Sequence, residues 1–250
     1  MSDSHRDWPV RSADGHQAKL RMHGPTHATD GLLLVPAMGV AARHYDALAS
    51  RLAAAGVLVA VHEGRGIGSS GARASRQHDW GYRELLEIDL PASVDAACAG
   101  APGVHWRIGG HSLGAQFAAL LAAVDARLQG IFIVASGVPY WRAYPHWQKV
   151  LLRGIFGFMN GLGAVSGYFP GRRTGFAGNE ARGVIRDWTR TGRAGHYRVP
   201  GLSRDYEHAL QTICVPVLAL RMAEDWYVPP ASLDLLLAKL PQARIERHEL

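Results

Sequence analysis

The chain has 250 residues, a net charge of +6 and two cysteines in a composition that is 48% hydrophobic. That length suits one domain with a small insertion and a large core, while Cys98 and Cys214, far apart in apolar contexts and expected to be buried, exclude a disulfide framework or a zinc site and fit a reducing, cytoplasmic compartment. The arginines are scattered and densest between Arg172 and Arg204, without the interleaved aromatics of a nucleic-acid face, so the positive balance reads as a solvated surface, suited also to anionic substrates or anionic lipid.

The stretch Met1 to Val10 is polar and lacks the apolar centre of a signal peptide. Gln17 to Met22 reads as an edge strand, and Leu32-Leu33-Leu34-Val35 as a buried one. A helix around Tyr45 to Ala55 is stopped by Gly56. Val57 to Val61 is the next strand, Gly64 to Gly71 a glycine-rich loop, and Tyr82 to Ala99 a helical segment that Pro91 should kink or break. Trp106-Arg107-Ile108 and Gly130 to Ala135 are further strands, separated by a small-residue helix, Ala115 to Leu121. Periodicity is lost from Gly137 to Leu210, where aromatics, glycines and arginines mix as in an inserted cap. Val215 to Leu220 resumes the sheet, Pro230 to Leu240 is a helix, and Arg244 to His248 begins a last strand. Strands alternating with helical periods specify an α/β fold, a mostly parallel sheet with helices on both faces. The expected division is a first core part over 1–136, a cap over 137–210 and a second core part over 211–250. The most apolar stretch, Val150 to Phe169, is interrupted by Arg153, Asn160 and glycines, so it suits a lid or a wall better than a membrane span.

Chemistry concentrates at Gly110-His111-Ser112-Leu113-Gly114, a G-x-S-x-G between a strand and a helix. A serine at the tip of so sharp a turn is presented to solvent, and small glycines let strand and helix close behind it. A serine hydroxyl needs a base, and the base needs an acid to orient it; on this architecture the order is Ser, Asp or Glu, then His. Asp225, in the loop after the strand ending near Leu220, is the expected acid, with the adjacent Glu224 as the alternative and a helix-capping role as the bland reading. The oxyanion calls for two N–H donors: Leu113, which follows the serine, and Met38, in the tight turn Val35-Pro36-Ala37-Met38-Gly39, where it could equally be a pocket wall. His44 with Asp46, and His62 with Glu63, lack the spacing that aims two ligands at one metal, and the glycine-rich loop lacks a nucleotide fingerprint. No metal and no cofactor is implied.

On these residues the chain resembles the α/β-hydrolase superfamily, within it a branch of little-characterised serine hydrolases with Pro-Ala-x-Gly in the oxyanion turn, here Pro36 to Gly39, and a GHSLG elbow. Glu63 to Ser70 is similar to the family's structural Asp-x-Arg-Gly-x-Gly-x-Ser loop with Glu63 for Asp, and Glu224 to Pro229 to its acid loop. The resemblance implies hydrolysis of a carboxylic ester or thioester through an acyl-enzyme on Ser112. It also implies a catalytic histidine in a loop after the last strand. His248 is the histidine nearest that place, but alternation along Ile245 to Glu249 puts it inside a strand, so the expectation is a chain that continues past Leu250 with the base there. His111 belongs to the turn, and His62 is read as packing. Tyr140, Trp141, Tyr144, Trp147, Phe156, Phe158 and Phe169 give the cap an apolar content that suits an apolar acyl substrate, though most are expected to form the cap's own core. The competing readings are a peptidase or amidase of the same fold and a catalytically silent binding protein. Oligomeric state is not written in the sequence.

Overall fold

The computed structural model describes residues 5–175 and 178–250. Strands β1 (Arg6–Arg11), β2 (Gln17–His23) and β3 (Asp30–Val35) lead to α1 (Asp46–Ala54) and β4 (Leu58–His62). A continuous helical run follows, made of α2 (Tyr82–Glu84), a π-helical turn over Leu85–Asp89, and α3 (Leu90–Gly100). Next come β5 (His105–His111), α4 (Leu113–Ala122) and β6 (Ile131–Val134). The excursion between β6 and the next sheet strand carries α5 (His146–Ser166), β7 (Tyr168–Pro170), the single turn α6 (Gly171–Thr174), β8 (Asn179–Ala181), α7 (Arg182–Ala194) and α8 (Tyr206–Leu210). β9 (Val217–Arg221), α9 (Pro230–Leu237) and β10 (Ile245–Glu249) close the chain.

Eight strands form one sheet in the order β1-β2-β4-β3-β5-β6-β9-β10. β1, β2 and β4 pair antiparallel and every later neighbour pairs parallel. Central strands read as unbroken apolar runs because both faces are covered: all of β4 is buried, as are five of the six residues of β3. α4 is buried over its whole length, which explains its run of alanine and leucine with no polar face. Chain order reverses at β3, whose neighbours are β4 and β5, and the crevice beyond the carboxyl ends of such strands is where open α/β sheets bind ligands.

Four local expectations are corrected. The edge strand is β1, outside β2; Pro9 sits in it without cost because an edge strand need not donate from every residue, and Trp8 lies against Gly100, where a Cβ would fall 2.2 Å from the indole. Pro91 breaks nothing, because the helix widens just ahead of it: the Leu90 N–H reaches back to the Leu85 carbonyl, and Pro91 enters as one of the first residues of α3. Neither cysteine is in the core, since Cys98 is half-buried and Cys214 exposed. The supposedly aperiodic excursion is largely helical. Its 21-residue helix α5 escapes a periodicity search because four glycines dilute it and its outward face is itself apolar. Of the cap aromatics, Phe156 and Phe169 are buried, whereas Trp147 and Phe158 face solvent.

Candidate active site

The turn from β5 into α4 carries Ser112 at φ 53° and ψ −122°, a conformation that non-glycine residues rarely adopt and that persists only where surroundings enforce it. The enforcement is visible on both sides. A Cβ on Gly110 would lie 2.4 Å from the Gly114 carbonyl carbon, and one on Gly114 would lie 2.2 Å from the Val35 carbonyl oxygen, so strand, helix and the end of β3 meet at backbone contact. Ser112 is pinned by its main chain: its N–H donates to the Val134 carbonyl at 3.1 Å, and its own carbonyl accepts the Ser136 hydroxyl at 2.6 Å. The side chain is left to face outward.

Beside it lies the turn after β3. Val40 N–H donates to the Ala37 carbonyl at 3.0 Å, and Gly39 has φ +70°, which the third position of such a turn assigns to glycine. Ala37 N–H donates to the Tyr45 hydroxyl at 2.8 Å, and that oxygen is 3.0 Å from His111 Nδ1, so the phenol ties the turn to the elbow. Burial raises the Tyr45 phenol above its usual range and lowers the His111 imidazole, the latter against the pull of the Asp225 charge. Among the described residues, neither Met38 nor Leu113 N–H is engaged by a backbone carbonyl.

Asp225 follows β9 in the same crevice. Its carboxylate accepts the Tyr227 N–H at 2.8 Å and the Val228 N–H at 3.3 Å, which fixes the loop around it. Ser112, Leu113, Met38, His111 and Asp225 all line one cavity of about 490 Å³. Its far wall comes from the excursion, with Tyr144, Leu151, Leu152, Ile155 and Trp188. The four residues singled out for chemistry are therefore brought together. Glu224 is exposed and does not line the cavity, and His248 sits within β10, opposite Leu220, with its Nε2 2.7 Å from Glu246 Oε1. Of the described residues that line the cavity His111 is the sole histidine.

Three supports escaped sequence reasoning. Tyr45 and Ser136 hold the two halves of the site by hydroxyl contacts across 66 and 24 residues, which no local pattern reveals. Glu180, in β8, is buried; its carboxylate accepts the Ala181 N–H at 2.8 Å, with the Gly39 amide also turned on it, and burial pushes its pKa up to about 7. Nearby, Gly178 and Gly39 touch so closely that a Cβ on Gly178 would overlap the Gly39 carbonyl. The glycine-rich loop proves structural: buried Glu63 accepts the Ala42 N–H at 2.9 Å and the Ser69 N–H at 3.1 Å, and Arg65 pairs with Asp89 and Asp14. Among the described residues no cluster of His, Cys, Asp and Glu is arranged to hold a metal.

A family model described as serine aminopeptidase, S33, matches residues 26–179. Among solved structures, a soluble variant of monoglyceride lipase from Saccharomyces cerevisiae, in complex with a substrate analogue, superposes with a TM-score of 0.69 at 14% identity, over 96% of this chain and 85% of that one. An esterase from Pyrococcus furiosus gives 0.64 at 13% identity, over 98% and 81%. The thioesterase domain from the curacin biosynthetic pathway gives 0.63 at 15% identity, over 99% and 93%. At such identities these likenesses establish the α/β-hydrolase fold. No curated protein sequence matches the chain.

Proposed function

Because the chain belongs to the serine aminopeptidase, S33, family of α/β-hydrolases, we propose that it is a serine hydrolase that cleaves a carboxylic ester or thioester through an acyl-enzyme on Ser112. In this reading the Ser112 hydroxyl attacks the carbonyl carbon, and the Met38 and Leu113 amides receive the charge that develops on the carbonyl oxygen. Asp225 orients and stabilises the imidazolium of the base that takes the serine proton. Residues 137–210 act as the cap that walls the acyl site. The described residues do not place the base: His111 has its Nδ1 occupied by Tyr45, and His248 lies in β10.

The observation that carries the reading is the backbone of Ser112, held at positive φ by glycine contacts at its two flanks, by one main-chain bond to β6 and by the Ser136 hydroxyl. Such strain is retained where a side chain must be presented. An ester is favoured over a peptide N-terminus by the lining. Among the described residues that line the cavity Asp225 is the only carboxylate, and in this reading it orients the base, so an α-ammonium group would find no second acid among them. The apolar residues on the cap side suit an acyl chain. We read the small-molecule substrate as an apolar ester, with no nucleic acid and no cofactor.

The test is labelling with a fluorophosphonate followed by a series of p-nitrophenyl esters of graded chain length. Adduct mass on the peptide containing Ser112, lost in Ser112→Ala, is the expected outcome. Equal labelling of the two proteins, or hydrolysis undiminished in Ser112→Ala, refutes the proposal.

A further inference from the structure

Helix α5 is apolar on its exposed face as well as on its buried one. Gln148, Phe156, Met159 and Gly163 are buried, while the opposite, solvent-facing side carries Trp147 at 64% exposure, Val150 at 75%, Leu151 at 44%, Phe158 at 58% and Val165 at 70%. Positions 147, 151, 154, 158, 161 and 165 fall three and four apart, on one face. Gly154 and Gly161 fill the two places without a large side chain, and a Cβ at either would meet nothing. A soluble surface seldom keeps so continuous an apolar stripe without a use.

The charges along the helix itself are of one sign, with the exposed Glu224 set apart beside the Trp226–Tyr227 lip. α5 has no Asp or Glu, and Lys149 and Arg153 lie along it. Arg142 and Arg153 each sit 5.0 Å over the Trp141 ring at its N-terminal shoulder. Arg76 donates to the Val165 carbonyl at the other end, and exposed Arg172 and Arg173 lie on α6, which runs into Gly175 at the cavity wall. Among the described residues none of these six cations forms an ion pair. The stripe also continues into the site: Leu151 is both exposed and part of the cavity wall, and exposed Trp226 and Tyr227 form another part of that wall, joined to the cap by the Tyr144 hydroxyl bond to the Tyr227 carbonyl at 3.0 Å.

We propose that the outer face of α5, with its flanking cations and the Trp226–Tyr227 lip, is a docking surface for an anionic lipid bilayer. The helix lies in the plane of the headgroups, its Trp, Leu, Val and Phe side chains entering the acyl boundary while Lys and Arg stay with the phosphates. No helix among the described residues is long and apolar enough to cross a membrane, so the association is peripheral. A second copy of the chain is the poorer occupant, because an isologous contact through this face would set unpaired cations against unpaired cations. Docked this way, the cavity mouth opens against the bilayer, and an apolar ester reaches the crevice without crossing water.

Binding is read without turnover, so the outcome is independent of the Ser112 reading. The intact chain is sedimented with vesicles of phosphatidylcholine alone and with vesicles in which about one third is phosphatidylglycerol, at low and high salt. The expected result is binding to the anionic vesicles that weakens with salt. Val150→Glu with Phe158→Glu should lower it at least about tenfold, with the melting temperature unchanged. Neutralising Lys149, Arg172 and Arg173 to Gln should lower it about fivefold per residue on anionic vesicles only. Should the Glu variant fail to fold, the Gln series decides. No binding to anionic vesicles, or equal binding by the Gln series, overturns the proposal, as does a wild-type dimer in light scattering that the Glu variant converts to a monomer.

Discussion

Glu180→Gln should change how stability depends on pH, because Glu180 and His62 offset each other in the native protein. Glu180 is 6% exposed, and burial lifts its carboxyl from 4.5 to about 7. Between those values the folded state keeps a proton that the unfolded state has released, so stability from this group is full below 4.5 and is lost as pH rises to about 7. His62 runs the other way: burial lowers it from 6.5 to about 4, so its contribution is full above 6.5 and is lost as pH falls to about 4. In the overlap the unfolded chain gains the histidine proton and loses the glutamate proton, and the two slopes cancel. A Gln at 180 keeps an oxygen for the Ala181 and Gly39 N–H groups but does not titrate. Relative to wild type it should gain about 1.4 kcal/mol per pH unit through the window, about 3 kcal/mol in all. For a chain of this size that is roughly 6–12 °C in Tm. Melting curves of both proteins from pH 4.5 to 8 measure it. The two should coincide at the acid end and diverge as pH rises, with the variant higher; parallel curves would refute the burial argument, and a variant that falls relative to wild type would show that the carboxylate is worth more to Gly39 than its desolvation costs.

Asp225→Asn retains an oxygen for the Tyr227 and Val228 N–H groups, so its Tm should stay within a few degrees while kcat on a p-nitrophenyl ester falls on the order of 10³–10⁴-fold; a matching loss of stability would make Asp225 only a loop-former. Tyr45→Phe removes the acceptor of the Ala37 N–H and should cost about 1–3 kcal/mol by chemical denaturation, with kcat reduced more than KM is raised because the Met38 amide sits in the same turn. Gly114→Ala drives a Cβ into the Val35 carbonyl; phosphonate labelling of Ser112 should be abolished although every polar group remains, and normal labelling would mean the elbow has room to relax. Asp89→Asn leaves the Arg65 guanidinium, 10% exposed, with one carboxylate in place of two, and should destabilise the chain by about 3–5 kcal/mol in urea unfolding without altering labelling of the residual folded protein.

The difference between what the sequence discloses and what it hides follows the range of the interactions involved. Ser112, Leu113 and the flanking glycines are legible because the turn that carries them is a local object: strand, sharp bend and helix are consecutive, and steric necessity writes glycine at fixed offsets. Met38 and Asp225 are legible at one remove, since parallel strands put the ends of β3, β5 and β9 on a single edge whatever the loops contain. Tyr45, Ser136 and Glu180 are not, because each earns its role from a partner brought near only by the finished sheet and cap. Helix α5 fails for a different reason. Periodicity detects a boundary between apolar and polar faces, and when the outward face is also apolar, with glycines on both sides, the polar strip shrinks to Lys149, Arg153 and Asn160 and the boundary is hard to see in the sequence.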